Sequence, residues 1–272
     1  MAKRNHKAIL ITGASSGIGR ACAVYLSQQG HAVYGTSRRP RPDAMPFTML
    51  PMDVTDDASV QQALQTILEQ QGQLDAVVNN AGIGYGGAVE DTAIEEARAT
   101  LETNFLGALR VCQAVLPTMR AQGRGTIINV SSIGGLMGLP YQGLYSASKY
   151  ALEGLSEALR MEVKAFGVHV VLLEPGDIHT AFTANRRNTR ASGATSAYYE
   201  TYTRVLEKIE SDERNGAQPE VVARTVARII AIPAPKARYV VGPFYEKLAV
   251  LLKRLSPDAL FEWIMRLNYG VK

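Results

Sequence analysis

The chain has 272 residues, 46% of them hydrophobic and 20% charged, with a formal net charge of +4. That length and balance fit one globular α/β domain with a real core. Its two cysteines, Cys22 and Cys112, make no disulfide framework, no apolar run approaches the ~20 residues that span a bilayer, and no Lys/Arg stripe interleaves with aromatics. These features argue against a disulfide scaffold, a transmembrane protein and a nucleic-acid partner, and a cytoplasmic location is expected.

Ala8–Ile11 reads as the first strand, followed by "TGASSGIG" from Thr12 to Gly19 and a helix over Ile18–Gln29. Strand, glycine-rich turn and helix in that order make a phosphate cradle. Glycines permit the tight turn and the approach of backbone to a pyrophosphate, and the helix N-terminus supplies free N–H groups. Gly13, Ser15, Ser16, Gly17, Ile18 and Gly19 are the candidate contacts. The second strand, Ala32–Thr36, runs into "GTSRRPR". An acid at the strand end would bind the ribose 2′-hydroxyl of NAD; Ser37 stands there instead, with Arg38 and Arg39 behind it. Guanidinium groups bind a 2′-phosphate through charge-assisted bonds, so NADP(H) is the expected cofactor.

A third strand, Phe47–Leu50, leads to "MDVTD". Asp53 either accepts from the adenine amino group or caps the next helix (Ala58–Gln71), and Val54 packs near the ring. The fourth strand, Ala76–Asn79, ends in "NNAG", where Asn80, Ala81 and Gly82 let the adenosine ribose lie over the sheet edge. A helix over Glu95–Arg120 follows, then strands at Thr126–Val130 and His169–Leu173 around a helix at Gln142–Ala165. Strands alternating with helices predict a doubly wound parallel sheet with helices on both faces, a single-domain Rossmann fold across residues 1–272. Tyr239–Gly242 is expected to close the edge. Residues 177–218 are assigned to a substrate lid.

The helix after the fifth strand places Tyr145 and Lys149 at i and i+4, on one face. A cation beside a phenol favours the phenolate, and a phenol so tuned exchanges a proton with a carbonyl or alcohol. Ser132, thirteen residues before Tyr145, is placed to hold the substrate oxygen. Small residues around the pair, among them Ser146, Ala147 and Ser148, let helix and cofactor come close.

With TGASSGIG, NNAG, Ser132, Tyr145-x-x-x-Lys149 and "EPGDIHT" on the page, the chain resembles the short-chain dehydrogenase/reductase family over about residues 7–185. It is most similar to the branch holding 17β-hydroxysteroid and retinol dehydrogenases. The resemblance implies that Tyr145 is the general acid/base, that Ser132 orients the carbonyl and that Lys149 binds the nicotinamide ribose. It implies that Asn104 completes a proton relay. It also implies that Pro175, Gly176, Ile178 and Thr180 hold the nicotinamide, Thr180 having the alternative of capping a lid helix. No metal is called for.

Leu136, Met137, Leu139, Tyr141 and Phe182 are expected to face the substrate, together with Ser132, Tyr145 and either Tyr198 or Tyr199. Such a pocket suits a hydrophobic secondary alcohol and its ketone or aldehyde, steroid-, retinoid- or lipid-like. A non-catalytic NADP(H)-binding sensor or scaffold is the competing reading. The tail, residues 243–272, carries two amphipathic patterns, Leu248/Leu251/Leu252/Leu255 and Leu260/Phe261/Ile264/Leu267. Packing on the domain or a second subunit is expected of them, ahead of peripheral membrane contact. A homodimer or homotetramer is expected.

Overall fold

The computed structural model describes residues 6–40 and 45–271. Its strands are β1 (Ala8–Ile11), β2 (Ala32–Ser37), β3 (Thr48–Pro51), β4 (Ala76–Asn79), β5 (Tyr85–Gly86), β6 (Gly125–Val130), β7 (Val168–Pro175), β8 (Arg187–Asn188) and β9 (Arg238–Val241). Seven of them form one parallel sheet in the order β3-β2-β1-β4-β6-β7-β9, and β5 pairs with β8 apart from it. The helices are α1 (Gly17–Gln28), α2 (Asp57–Gln71), α3 (Ile94–Leu101), α4 (Gly107–Gln122), α5 (Gly143–Val163), α6 (Tyr199–Arg214), α7 (Pro219–Ala231), α8 (Phe244–Leu255) and α9 (Asp258–Tyr269).

Strand residues alternate between two cores, as the period of two requires. Ile9, Ile11, Ala76, Val78, Val171 and Leu173 point to the side covered by α1 and α7. Leu10, Val77, Ile127 and Val170 point to the side covered by α2, α4 and the C-terminal half of α5. Both faces are covered, so the strands read as continuous apolar runs. Each fully buried Ile, Leu or Val stabilises the fold by ~1.5–3 kcal/mol. The fold is thus the doubly wound Rossmann type the sequence predicts.

Two differences from the sequence reading have clear causes. The helix expected over Glu95–Arg120 is broken by a π-helical turn at Glu102–Leu106, which separates α3 from α4. A π turn inserts one residue without disturbing the composition, so the apolar period does not reveal it. Helices α6 and α7 had no assignment. Yet α7 has Pro219 in its first turn and buries Val222, Ala223, Val226, Ile229 and Ile230 at helical spacing, packing mainly on α1.

The edge strand does more than close the sheet. Arg238 on β9 pairs with Glu153 and Glu157 of α5, each at 2.5 Å, and with the fully buried Glu174 of β7. One guanidinium therefore ties the helix that carries Tyr145 and Lys149 to the strand that delivers Pro175 and Gly176.

Candidate active site

Strand order reverses at β1, which has β2 on one side and β4 on the other. Ligands of open α/β sheets sit beyond the strand C-termini at such a point. A cavity of about 970 Å³ opens there. Its walls include Gly13, Ser15, Ser16, Gly17, Ile18, Ser37, Arg38, Asp53, Val54, Asn80, Ala81, Gly82, Ser132, Met137, Tyr145, Lys149, Pro175, Gly176, Ile178, Thr180 and Phe182.

The cradle is shaped for an anion. Gly13 and Gly17 have φ of 67° and 54°, a region that L side chains rarely adopt. Ser16 caps α1 without a side-chain hydrogen bond, and no acidic residue stands in the first turn. The opening N–H groups of α1 and its positive dipole end are thereby left to an anion. Asn80 donates from Nδ2 to the carbonyls of Thr12 (2.9 Å) and Gly13 (3.2 Å), strapping the turn to β4. Thr180 comes across from the other wall, so that a Cβ on Gly17 would lie 3.3 Å from its Cβ. These residues fit a dinucleotide pyrophosphate.

At the far end, Ser37 and Arg38 follow β2 in the cavity wall. The Oδ1 of Asp53 accepts from the N–H (2.9 Å) and hydroxyl (2.8 Å) of Thr55. It is Asp56 that caps α2, accepting from Ala58 N at 2.9 Å. Asp53 thus stays in the cavity wall rather than serving as a helix cap.

The reacting centre lies where β6 ends and α5 begins. Gly134 N donates to Ser132 Oγ at 3.0 Å, which fixes the hydroxyl beside Tyr145. Lys149 is buried; its Nζ donates to Val130 O at 2.9 Å and stands 5.7 Å from the centre of the Tyr145 ring. Burial pulls Lys149 down from 10.5 to about 8, with Glu153 opposing. Burial pushes the Tyr145 phenol above its ordinary value, and the Ser132 hydrogen bond acts the other way. The sequence reading had Lys149 lowering the phenol. In the fold burial dominates the phenol, and the Lys149 ammonium is directed at Val130 O.

Five expected residues do not line the cavity. Gly19 lies behind the turn, where a Cβ would fall 2.5 Å from the Gly13 carbonyl oxygen; its lack of a side chain serves helix–strand packing. Arg39 is exposed, its N–H donating to Ser37 Oγ at 3.3 Å. Asn104 is buried in the π turn; its Oδ1 accepts from Ile83 N (2.8 Å) and its Nδ2 donates to Ile83 O (2.9 Å) and Ser148 Oγ (3.0 Å). It braces the Gly82–Ile83 wall against α5 and does not touch Lys149 directly. Leu136 turns away into a small cluster with Met137, Val250 and Phe261. Tyr141 has φ of 58° and stacks on Tyr202 of α6 at 5.6 Å. Of the two tyrosines left open, Tyr198 donates its hydroxyl to Glu90 (2.6 Å), and neither it nor Tyr199 lines the cavity.

The substrate end holds residues the sequence did not assign. Phe182 stacks on Tyr145 at 5.8 Å. Ala249, Leu252, Phe261, Ile264 and Met265 bring α8 and α9 into the wall, and Ile209 and Glu213 bring α6. Glu246 of α8 is buried, and its Oε1 accepts from Asp177 N at 2.7 Å, which fastens the tail to the Pro175–Gly176 turn. Burial and the neighbouring Glu246 push the Asp177 carboxyl up to about 8. The amphipathic stripes of the tail signalled packing, but not that the surface covered was this cavity. Nearer the lid, Arg186 is buried in an ion pair with Glu213.

Known proteins resemble this chain in sequence and in fold over nearly its whole length. The family model for short chain dehydrogenase matches residues 7–191. The chain is 47% identical over 264 residues to a 3-ketodihydrosphingosine reductase of Bacteroides thetaiotaomicron, covering 97% of this chain and 98% of that one. It is 36% identical to the human 17-beta-hydroxysteroid dehydrogenase type 1, covering 85% of this chain and 76% of that one. Among solved structures, a short-chain dehydrogenase from Streptomyces avermitilis superposes with a TM-score of 0.81 at 30% identity, over 98% of this chain and 99% of that one.

Proposed function

This chain belongs to the short-chain dehydrogenase family of oxidoreductases, and we propose that it interconverts a hydrophobic, lipid-like secondary alcohol and its ketone or aldehyde with NADP(H). The observation that carries this reading is the meeting of Ser132, Tyr145 and Lys149 in one cavity whose substrate end is walled by Met137, Phe182, Leu252 and Phe261. NADP(H), when bound, supplies or takes up the hydride. Tyr145 gives the proton to the carbonyl oxygen in reduction and takes it back in oxidation. A phenol is protonated at neutral pH, and burial pushes Tyr145 further that way, which suits reduction. Ser132 holds the oxygen against Tyr145. Lys149 and the Pro175–Thr180 turn hold the nicotinamide half, Gly13 to Ile18 the pyrophosphate, Asn80 to Gly82 the adenosine ribose, and Asp53 and Val54 the adenine. Ser37 and Arg38 favour the 2′-phosphate over a bare ribose.

Among lipid-like substrates, a long-chain ketone is favoured over a sterol or retinoid. The cavity runs on beneath α8 and α9, and the 47% identical relative is named for a long-chain keto base. The chain is further proposed to act as a homodimer or homotetramer. The test is NADPH consumption by the purified protein across long-chain ketones, sterol and retinoid carbonyls and sugar aldehydes, with NADH as control. Turnover of the long-chain ketones with NADPH supports the reading. Preference for the sugar aldehydes, or for NADH, overturns it.

A further inference from the structure

Helices α8 and α9 each have two apolar sides, and only one of each is used. The inner side of α8 buries Glu246 and Val250, and that of α9 buries Phe261. The outer side of α8 carries Phe244, Leu248, Leu251 and Leu255, spaced i, i+4, i+7 and i+11 and therefore in one stripe. Phe244 is 80% exposed and Leu255 74%. On α9, Leu260, Trp263 and Leu267 form a second exposed stripe, with Trp263 57% exposed. Among the described residues, no other pair of helices leaves so much large apolar surface in water, and such patches mark interaction sites.

Charge says what covers it. Lys247 and Arg254 are exposed, seven residues apart, each one position before a stripe leucine, so they line one edge of the α8 stripe. Arg266 stands in the same relation to Leu267. On these two helices Glu246 is buried inside and Asp258 is paired with Lys253 at 2.6 Å, which leaves Lys247, Arg254 and Arg266 against Glu262. A symmetric second copy would set these basic edges against each other, whereas an anionic surface would complement them. Trp263 is also a residue type that settles at a membrane–water interface, and Phe244 one that the apolar face of an interfacial helix carries. Among the described residues no helix is long and apolar enough to cross a membrane. A helix lying in the interface, with basic edges and an aromatic-rich apolar face, needs no such length.

We propose that the outer faces of α8 and α9 dock on an anionic lipid bilayer, making this a peripheral membrane protein. The inner residues Ala249, Leu252, Phe261 and Ile264 of the same two helices line the active-site cavity. Docking therefore sets the outer face of one cavity wall against the bilayer, and its use for taking up an apolar ligand rests on the function proposed above.

The test uses the whole chain and vesicles of phosphatidylcholine with and without phosphatidylglycerol. Trp263 is the chain's single tryptophan, so its emission reports on this face alone. The expected result is co-sedimentation with the phosphatidylglycerol vesicles, a blue shift of the emission on binding, and weakening by salt. L251E/L255E, exposed positions outside the cavity, should abolish both signals while leaving the melting temperature unchanged. K247Q/R254Q should weaken binding about fivefold per charge. The proposal is overturned if the wild type stays in the supernatant at low salt. It is also overturned if L251E/L255E still binds, or if sedimentation velocity shows that variant dissociating an oligomer while no vesicle binding occurs.

Discussion

Replacing Lys149 by Met should stabilise the folded protein near neutral pH while removing a group needed at the site. Burial lowers this lysine from 10.5 to about 8. A base whose pKa is lower folded than unfolded binds fewer protons in the native state between those two values. Its neutral form is favoured by folding, so stability rises with pH from 8 to 10.5, is lost as pH falls from 10.5 to 8, and changes no further below 8 on account of this group. At pH 7 the buried ammonium opposes folding by about 3 kcal/mol, and at pH 10 by about 1 kcal/mol. Met removes that opposition but orphans the Val130 carbonyl, which accepts from Nζ at 2.9 Å; the orphan costs about 1–3 kcal/mol at any pH. The variant should therefore gain about 1 kcal/mol over the wild type at pH 7 and lose about 1 kcal/mol at pH 10. Urea titrations of both proteins at the two pH values measure this. The difference between variants isolates Lys149 from every other group that titrates. A difference that does not change with pH would show that the ammonium is not desolvated, and would refute the reasoning.

Gly19→Ala places a Cβ about 2.5 Å from the Gly13 carbonyl oxygen; the turn must shift, and NADPH affinity by fluorescence titration should fall sharply along with the melting temperature. Arg38→Asp puts a carboxylate where a 2′-phosphate is proposed to lie. Losing a charge-assisted bond of about 1.5–3 kcal/mol should weaken NADPH by about 10–150-fold and leave NADH less affected, as isothermal titration would read. Because burial raises the Tyr145 pKa, the protonated phenol persists well above neutral pH. Reduction should stay flat through neutral pH and fall only as the phenol ionises, whereas oxidation should climb with pH over the same range. Steady-state kcat/KM in both directions reads the sign, and parallel profiles would count against Tyr145 as the group exchanging the proton.

Much of this was legible because local chemistry and fold agree. Strands β1 and β4 run between the residues the apolar pattern predicts, since four buried positions flanked by turn residues leave few choices. The Tyr145/Lys149 pair was readable from helical periodicity alone. What the sequence concealed depends on contacts between distant segments. Tyr141 sits among apolar residues that suggest a substrate wall, but its positive φ swings it to α6. Asn104 reads as an ordinary helical polar residue until the π turn aims it at Ile83. Asp177 and Glu246 are 69 positions apart, and nothing in either neighbourhood announces that one carboxylate will accept the other's N–H. The two tail stripes were visible as stripes. Which side of each faces a cavity and which faces solvent is settled by packing, which periodicity does not encode.

Tyr145→Phe asks most directly whether Tyr145 carries the proton in an NADP(H)-linked reaction. The ring and its contact with Phe182 are kept, and only the hydroxyl is lost. NADPH binding and NADPH-dependent ketone reduction should be measured side by side on the wild type and this variant. Unchanged NADPH affinity is expected, with turnover reduced by about 10²–10⁴-fold. Turnover that survives the substitution would contradict that role for Tyr145. A wild type that binds NADPH but turns over no carbonyl would point instead to a protein that senses the cofactor without using it.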